Sequence, residues 1–287
     1  MSDERGQVLK TIATYLGLTT LLCAIVYYMI SRSQNMVAPP GSTLSYGLMA
    51  MWCPGVAALI TCRIRAIDLG DLGWSWRPVK YQWWAYGLPI AYTSLAYAFV
   101  WVSGLGGFYN HEFVTSVAKS LAWPLPDGLI IVLYILLDSA FGMVRAMALA
   151  LGEEIGWRGL LVPQLAKISS YTTTSLVSGV IWSIYHYPLI LTSNYNSGDS
   201  KWLSLACFTV MAVSACFIFT WLRLKSGNLW TAVVMHGSHN LFVQSIFTPL
   251  TVKTAYTPYL IDEFGVVLPA LLVPLAYVFW RKRHELA

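Results

Sequence analysis

Charge is what this sequence has least of. Only 11% of its 287 residues are Asp, Glu, Lys or Arg, while 57% are hydrophobic. A soluble domain carries about 25% charged residues, so the shortage excludes an ordinary water-soluble fold. Lys and Arg number 18 against 13 acids, with no cluster that forms a basic face, so no nucleic-acid partner is expected. Cysteine is also sparse. Cys23, Cys53, Cys62, Cys207 and Cys216 all fall in apolar segments, at spacings that suit neither a metal site nor a disulfide framework, and they read as buried thiols. Internal repeats and low-complexity tracts are lacking. So is a small-residue cleavage pattern after the first apolar run, and that run is therefore expected to be a spanning helix rather than a cleavable signal.

What the chain has is long apolar runs. A bilayer core needs about 20 apolar residues per helix. The hydropathy pattern predicts spans near 11–30, 43–62, 83–102, 128–152, 172–192, 202–222, 229–247 and 264–280. The expected fold is all-α: one integral-membrane domain over 1–287, with about eight transmembrane helices around a polar intramembrane cavity. The connection 63–82 is rich in Trp, as suits a lipid–water interface, and a short surface helix is expected near 112–122. Basic residues divide unevenly. Arg5, Lys10, Arg63, Arg65, Arg77, Lys80, Arg158, Lys167, Arg223, Lys225, Arg281, Lys282 and Arg283 fall on one side, and Arg32, Lys119, Lys201 and Lys253 on the other. The positive-inside rule then places both termini in the cytoplasm.

Against that background a few polar residues stand out, because ionisable groups at membrane depth are costly and mark function by default. Glu153 and Glu154 follow Gly152 at the end of the fourth run, with Arg158 four residues on, the favourable order for a helical ion pair. Adjacent helical residues point about 100° apart, so the two carboxylates have separate tasks. Glu153 is assigned the chemistry, and Glu154 with Arg158 the support. The competing reading is a charge cluster that ends the helix. Asp138 and Arg145 share the Glu153 side of a helical wheel, and that face is expected to point inward. Trp182 and His186 are one turn apart, as are His236 and Asn240. Taken singly, each histidine also fits an interhelical hydrogen bond. Together they are the parts of a hydrolase. Glu and His can deprotonate water, and His with an amide can stabilise an oxyanion. Counted along straight spans, Glu153 and His236 lie near the cytoplasmic ends while His186 lies deeper; a partly inserted helix over 154–171 would reconcile them.

In these motifs, Glu153-Glu154-x-x-x-Arg158, Trp182-x-x-x-His186 and His236-x-x-x-Asn240, the chain resembles the CAAX protease and bacteriocin-processing family of intramembrane endopeptidases, and within it the type II CAAX prenyl endopeptidases. The stretch Arg158 to Pro163 shares the likeness. The resemblance covers roughly 150–241, within a motif-bearing core near 128–247. It implies a glutamate-type endopeptidase in which Glu153 and His186 activate water, His236 and Asn240 form the oxyanion hole, and Glu154, Arg158 and Trp182 support the site. The implied partners are the lipid bilayer and a membrane-anchored substrate, foremost a prenylated CAAX tail. A non-catalytic scaffold or bacteriocin-immunity protein of the same fold is the alternative. No cofactor is expected. His239 admits a zinc reading with His236, His186 and Glu153, but His-x-x-His lacks the spacing and the following Glu of common zinc hydrolases, and no metal is expected.

Overall fold

The computed structural model describes residues 2–33, 46–122, 124–198 and 200–286. Its helices are α1 (Ser2–Ser33), α2 (Tyr46–Arg65), α3 (Lys80–Val102), α4 (His111–Leu121), α5 (Asp127–Ile168), α6 (Tyr171–Thr192), α7 (Lys201–Ser226), α8 (residues 230–250) and α9 (Val267–Arg281). Strand is confined, among the described residues, to the antiparallel pair β1 (Gly107–Phe108) and β2 (Thr251–Val252). The chain is thus an all-α, polytopic membrane protein. By length and apolarity, α1, α2, α3, α5 and α7 can each cross a bilayer. The other expected spans coincide with α6, α8 and α9, which are more polar or, like the 15-residue α9, shorter than a full crossing. Residues 43–45 of the second expected span lie outside the described residues. The amphipathic α4 sits where a surface helix was expected, capped by the Asn110 side chain and ended by Ala122 in the left-handed region.

Two departures from the sequence reading govern the site. First, α5 does not stop at Gly152. It runs on through a π-helical segment, Ile155–Leu161, into Val162–Ile168. Glu153 therefore lies 15 residues before the end of α5, and His186 lies 15 residues after the start of α6, across a tight turn at Ser169 and Ser170. At about 1.5 Å per residue both are roughly 20 Å from that turn, so their depths agree. Glu153 is not near the end of its span, and Arg158 is not a loop residue. Second, Arg145 is exposed on the outside of α5 rather than facing inward, and among the described residues it forms no ion pair with the half-buried Asp138. The π-helical segment Asp138–Gly142 lies between them, and its wider turn shifts the register on which the helical wheel relied.

α5 is clasped by α2, and the contact is built on glycine. A Cβ at Gly152 would lie 2.7 Å from the Met51 carbonyl oxygen, and one at Gly156 2.7 Å from that of Pro54. Small residues four apart let helix backbones meet closely in a membrane, and this approach fixes the turn of α5 that carries Glu153 and Glu154. α8 packs on both α3 and α5, while α6 and α9 flank α7. α8 also starts inside the protein: Leu229 N donates to Gly73 O at 2.7 Å, and Asn228 and Leu229 are fully buried. That deep start brings His236 level with the other two elements although it lies only one and a half turns into its helix.

Candidate active site

Glu153, His186, His236 and Asn240 line one cavity of about 130 Å³, together with Trp182, His239, Gln244, Tyr195 and Glu263. Glu153 is buried and held by two indoles. Its Oε2 accepts from Trp182 Nε1 at 2.7 Å and from Trp157 Nε1 at 3.1 Å. Its Oε1 has no hydrogen-bond partner among the described residues and belongs to a side chain that lines the cavity. Trp157 is one helical turn from Glu153 and packs edge-on against Tyr15 and Tyr185. The carboxylate is thereby pinned from its own helix and from α6 at once.

Glu154 takes the other direction. It is fully buried and does not line the cavity. Arg158 NH1 donates to its Oε1 at 2.9 Å and its Oε2 at 3.1 Å, and His236 Nδ1 lies 2.8 Å from Oε1. The guanidinium sits 4.0 Å over the Phe219 ring and 4.6 Å over that of Trp182, and the Arg158 carbonyl accepts from Arg223 Nε at 2.7 Å. A buried charge of either sign is tolerable only when paired and hydrogen-bonded, and here each ion supplies what the other needs.

The imidazoles follow from these anchors. His186 Nδ1 lies 2.9 Å from the Trp182 carbonyl. A carbonyl only accepts, so Nδ1 carries a hydrogen, and in the neutral ring Nε2 keeps its lone pair. The ring packs against Phe208 at 4.7 Å and Tyr185 at 4.8 Å. His236 uses Nδ1 on Glu154, and its Nε2 has no hydrogen-bond partner among the described residues. Trp182 stands between the two, edge-on to His186 at 5.9 Å and to His236 at 5.5 Å. His239 differs, since both its nitrogens are engaged: Nδ1 lies 2.6 Å from Tyr92 OH and Nε2 3.2 Å from Glu263 Oε1. No group of three or more His, Cys, Asp or Glu side chains among the described residues is placed to hold a metal ion.

All the sequence-derived candidates therefore meet, either on the cavity wall or, for Glu154 and Arg158, directly behind it. Trp157, Gln244, Tyr195 and Glu263 were not foreseen. Trp157 carried a usable signal, because it lies at i+4 from Glu153. Tyr195 and Glu263 come from connections and have no helical periodicity to reveal them.

The fold and this cavity define a polytopic membrane protein with a buried carboxylate–imidazole centre. Residues 135–242, which hold every motif, match the family described as Type II CAAX prenyl endopeptidase Rce1-like. Over 94 residues, 31% of this chain, the sequence is 32% identical to CAAX prenyl protease 2 of Methanococcus maripaludis. The match spans about a third of the length of that curated relative. Through this region the chain resembles the Rce1-like family.

Proposed function

We propose that the protein is an intramembrane endopeptidase that hydrolyses a peptide bond of a membrane-anchored substrate, a prenylated CAAX tail. The observation that carries the reading is that Glu153, with one oxygen unpartnered among the described residues, and His186, held through Nδ1 by a carbonyl, line one cavity. Water placed between them loses a proton to this pair as its oxygen attacks the scissile carbonyl carbon, by general base catalysis. The carbonyl oxygen becomes an oxyanion. Asn240 offers amide hydrogens to it, and His236 offers Nε2–H when its ring carries both hydrogens, with Glu154 balancing the charge at Nδ1. On collapse, the C–N bond breaks and the proton taken from water passes to the leaving amine. Water is thus divided between the new carboxylate and the new amine.

The carboxylate is restrained before substrate arrives. Two indole donors hold Oε2, so little reorganisation is needed at the moment of attack, which is the advantage of a preorganised site. The test is release of the C-terminal tripeptide from a farnesylated CAAX peptide by the purified chain in liposomes, beside Glu153→Gln. Release by wild type alone supports the reading, and equal release by the variant overturns it.

A further inference from the structure

Glu263 belongs to none of the motifs and lies beyond residues 135–242, which match the family. It precedes α9 in a connection, where a carboxylate ordinarily meets water. Here it is turned inward and only 3% exposed. The backbone is shaped to that end. Asp262 has φ of 66°, a left-handed conformation that a non-glycine residue keeps only where its surroundings enforce it. Its N donates to Tyr97 OH at 3.2 Å, and its Oδ1 accepts from Glu263 N at 2.7 Å. Gly265 completes the turn, where a Cβ would fall 2.2 Å from the Leu260 carbonyl carbon.

Both Glu263 oxygens are committed. Oε1 lies 3.2 Å from His239 Nε2, and Oε2 accepts from Tyr195 OH at 2.5 Å. His239 is the residue before Asn240 on α8. The Tyr195 ring lies 6.1 Å from the His186 ring at 31° and is braced edge-on by Phe264 at 4.9 Å. One carboxylate therefore joins α8, beside the proposed oxyanion donors, to the segment after α6, beside the proposed base. These partners are 24 and 68 residues away in sequence.

We infer that Glu263 is a positioning residue. Resting on the reading of this cavity as a hydrolytic centre, its carboxylate sets the His239 and Tyr195 rings and so holds the water-activating wall and the oxyanion wall at their working separation. It acts through those two side chains.

The test uses Glu263→Gln and Tyr195→Phe in the full chain. Glu263→Gln preserves shape but leaves one acceptor where two are needed, and Tyr195→Phe removes a single hydroxyl. The ¹⁵N resonances of the histidine rings are read in micelles, and hydrolysis of the farnesylated peptide in liposomes. In both variants the expected result is a melting temperature close to wild type, a shifted His186 resonance, and kcat lowered about 10- to 100-fold with KM nearly unchanged. The double variant should be no worse than Glu263→Gln alone, since coupled residues are not additive. An unshifted His186 resonance, or losses of activity that simply follow melting temperature, would assign Glu263 a plain structural role. Should Glu263→Gln fail to fold, Tyr195→Phe decides alone: wild-type kcat with an unmoved His186 signal overturns the inference. If the wild-type chain cleaves no peptide, the proposed function fails, while the His186 resonance still decides whether Glu263 sets that ring.

Discussion

Glu154→Gln and Glu153→Gln replace adjacent, buried carboxylates with the same amide, yet they should fail in different ways. Glu154 neutralises Arg158, which is itself fully buried, and accepts from His236 Nδ1. An amide can accept one of those bonds but leaves the guanidinium without a counter-charge. Removing one partner of a buried ion pair costs about 3–5 kcal/mol, a large share of the roughly 5–15 kcal/mol that keeps a protein folded. At about 2–4 °C per kcal/mol, the melting temperature should fall by roughly 6–20 °C. Glu153 forms no ion pair among the described residues; it accepts from two indoles. The Gln carbonyl can still accept from them, so the cost is on the order of one hydrogen bond, about 1 kcal/mol. Turnover, in contrast, should drop about 10²–10⁴-fold with the loss of a general base. The assay is thermal unfolding in detergent beside hydrolysis of the farnesylated peptide in liposomes, each normalised to folded protein. Glu154→Gln combined with Arg158→Gln should recover part of the lost stability, because removing both ions strands neither. An unfolded Glu153→Gln beside a Glu154→Gln that melts like wild type would refute the division of labour between the two carboxylates.

Asn240→Ala should lower kcat about 10²–10³-fold with KM nearly constant, because an oxyanion donor acts on charge that exists only in the transition state; a raised KM at constant kcat would make it a substrate-binding residue instead. Exhaustive chelation should leave turnover intact, since both His239 nitrogens and His236 Nδ1 are already engaged. One zinc per chain with chelator-sensitive, zinc-restored activity would overturn that. Cysteines introduced at Lys225 and Arg283 should be labelled from one face of the membrane, and those at Lys119 and Lys201 from the other. Labelling of positions 119 and 225 from the same face would break the arrangement of spans.

Much of the candidate site was legible because helical spacing is a strong constraint. Polar residues at i and i+4 on an apolar helix share one face, and Glu154 with Arg158, Trp182 with His186, and His236 with Asn240 all obey that rule. What escaped was whatever departs from the simple α period. Gly152 reads as a stop, yet it is a packing glycine against the Met51 carbonyl, and α5 continues past it. The π-helical turns at Asp138–Gly142 and Ile155–Leu161 leave no mark in hydropathy, so the outward direction of Arg145 was misjudged. Position along the spans was left open by a straight count, and the continuation of α5 to Ile168 brings the depths together. The cavity lies six residues from the Thr192 end of α6 and is completed by Tyr195 and Glu263 from the connections on that side, rather than at the Arg-rich helix ends. Glu263 was invisible for a different reason: a lone acid in a loop has no period, and its partners are distant in sequence.

The one-turn separation of Glu154 and Arg158 also bears on how the chain is made. An isolated arginine entering a bilayer costs about 2.5–3.5 kcal/mol even by insertion measurements. Here its counter-ion is synthesised four residues earlier on the same helix, so this arginine can leave the insertion machinery with its charge already matched. Trp157 arrives with it, but Trp182 is 29 residues beyond Glu153 and His236 is 82 residues beyond Glu154. At about 5–20 residues per second, that last interval is roughly 4–16 s of translation. Until that interval ends, the carboxylate pair lacks its last hydrogen-bond partner, the His236 ring.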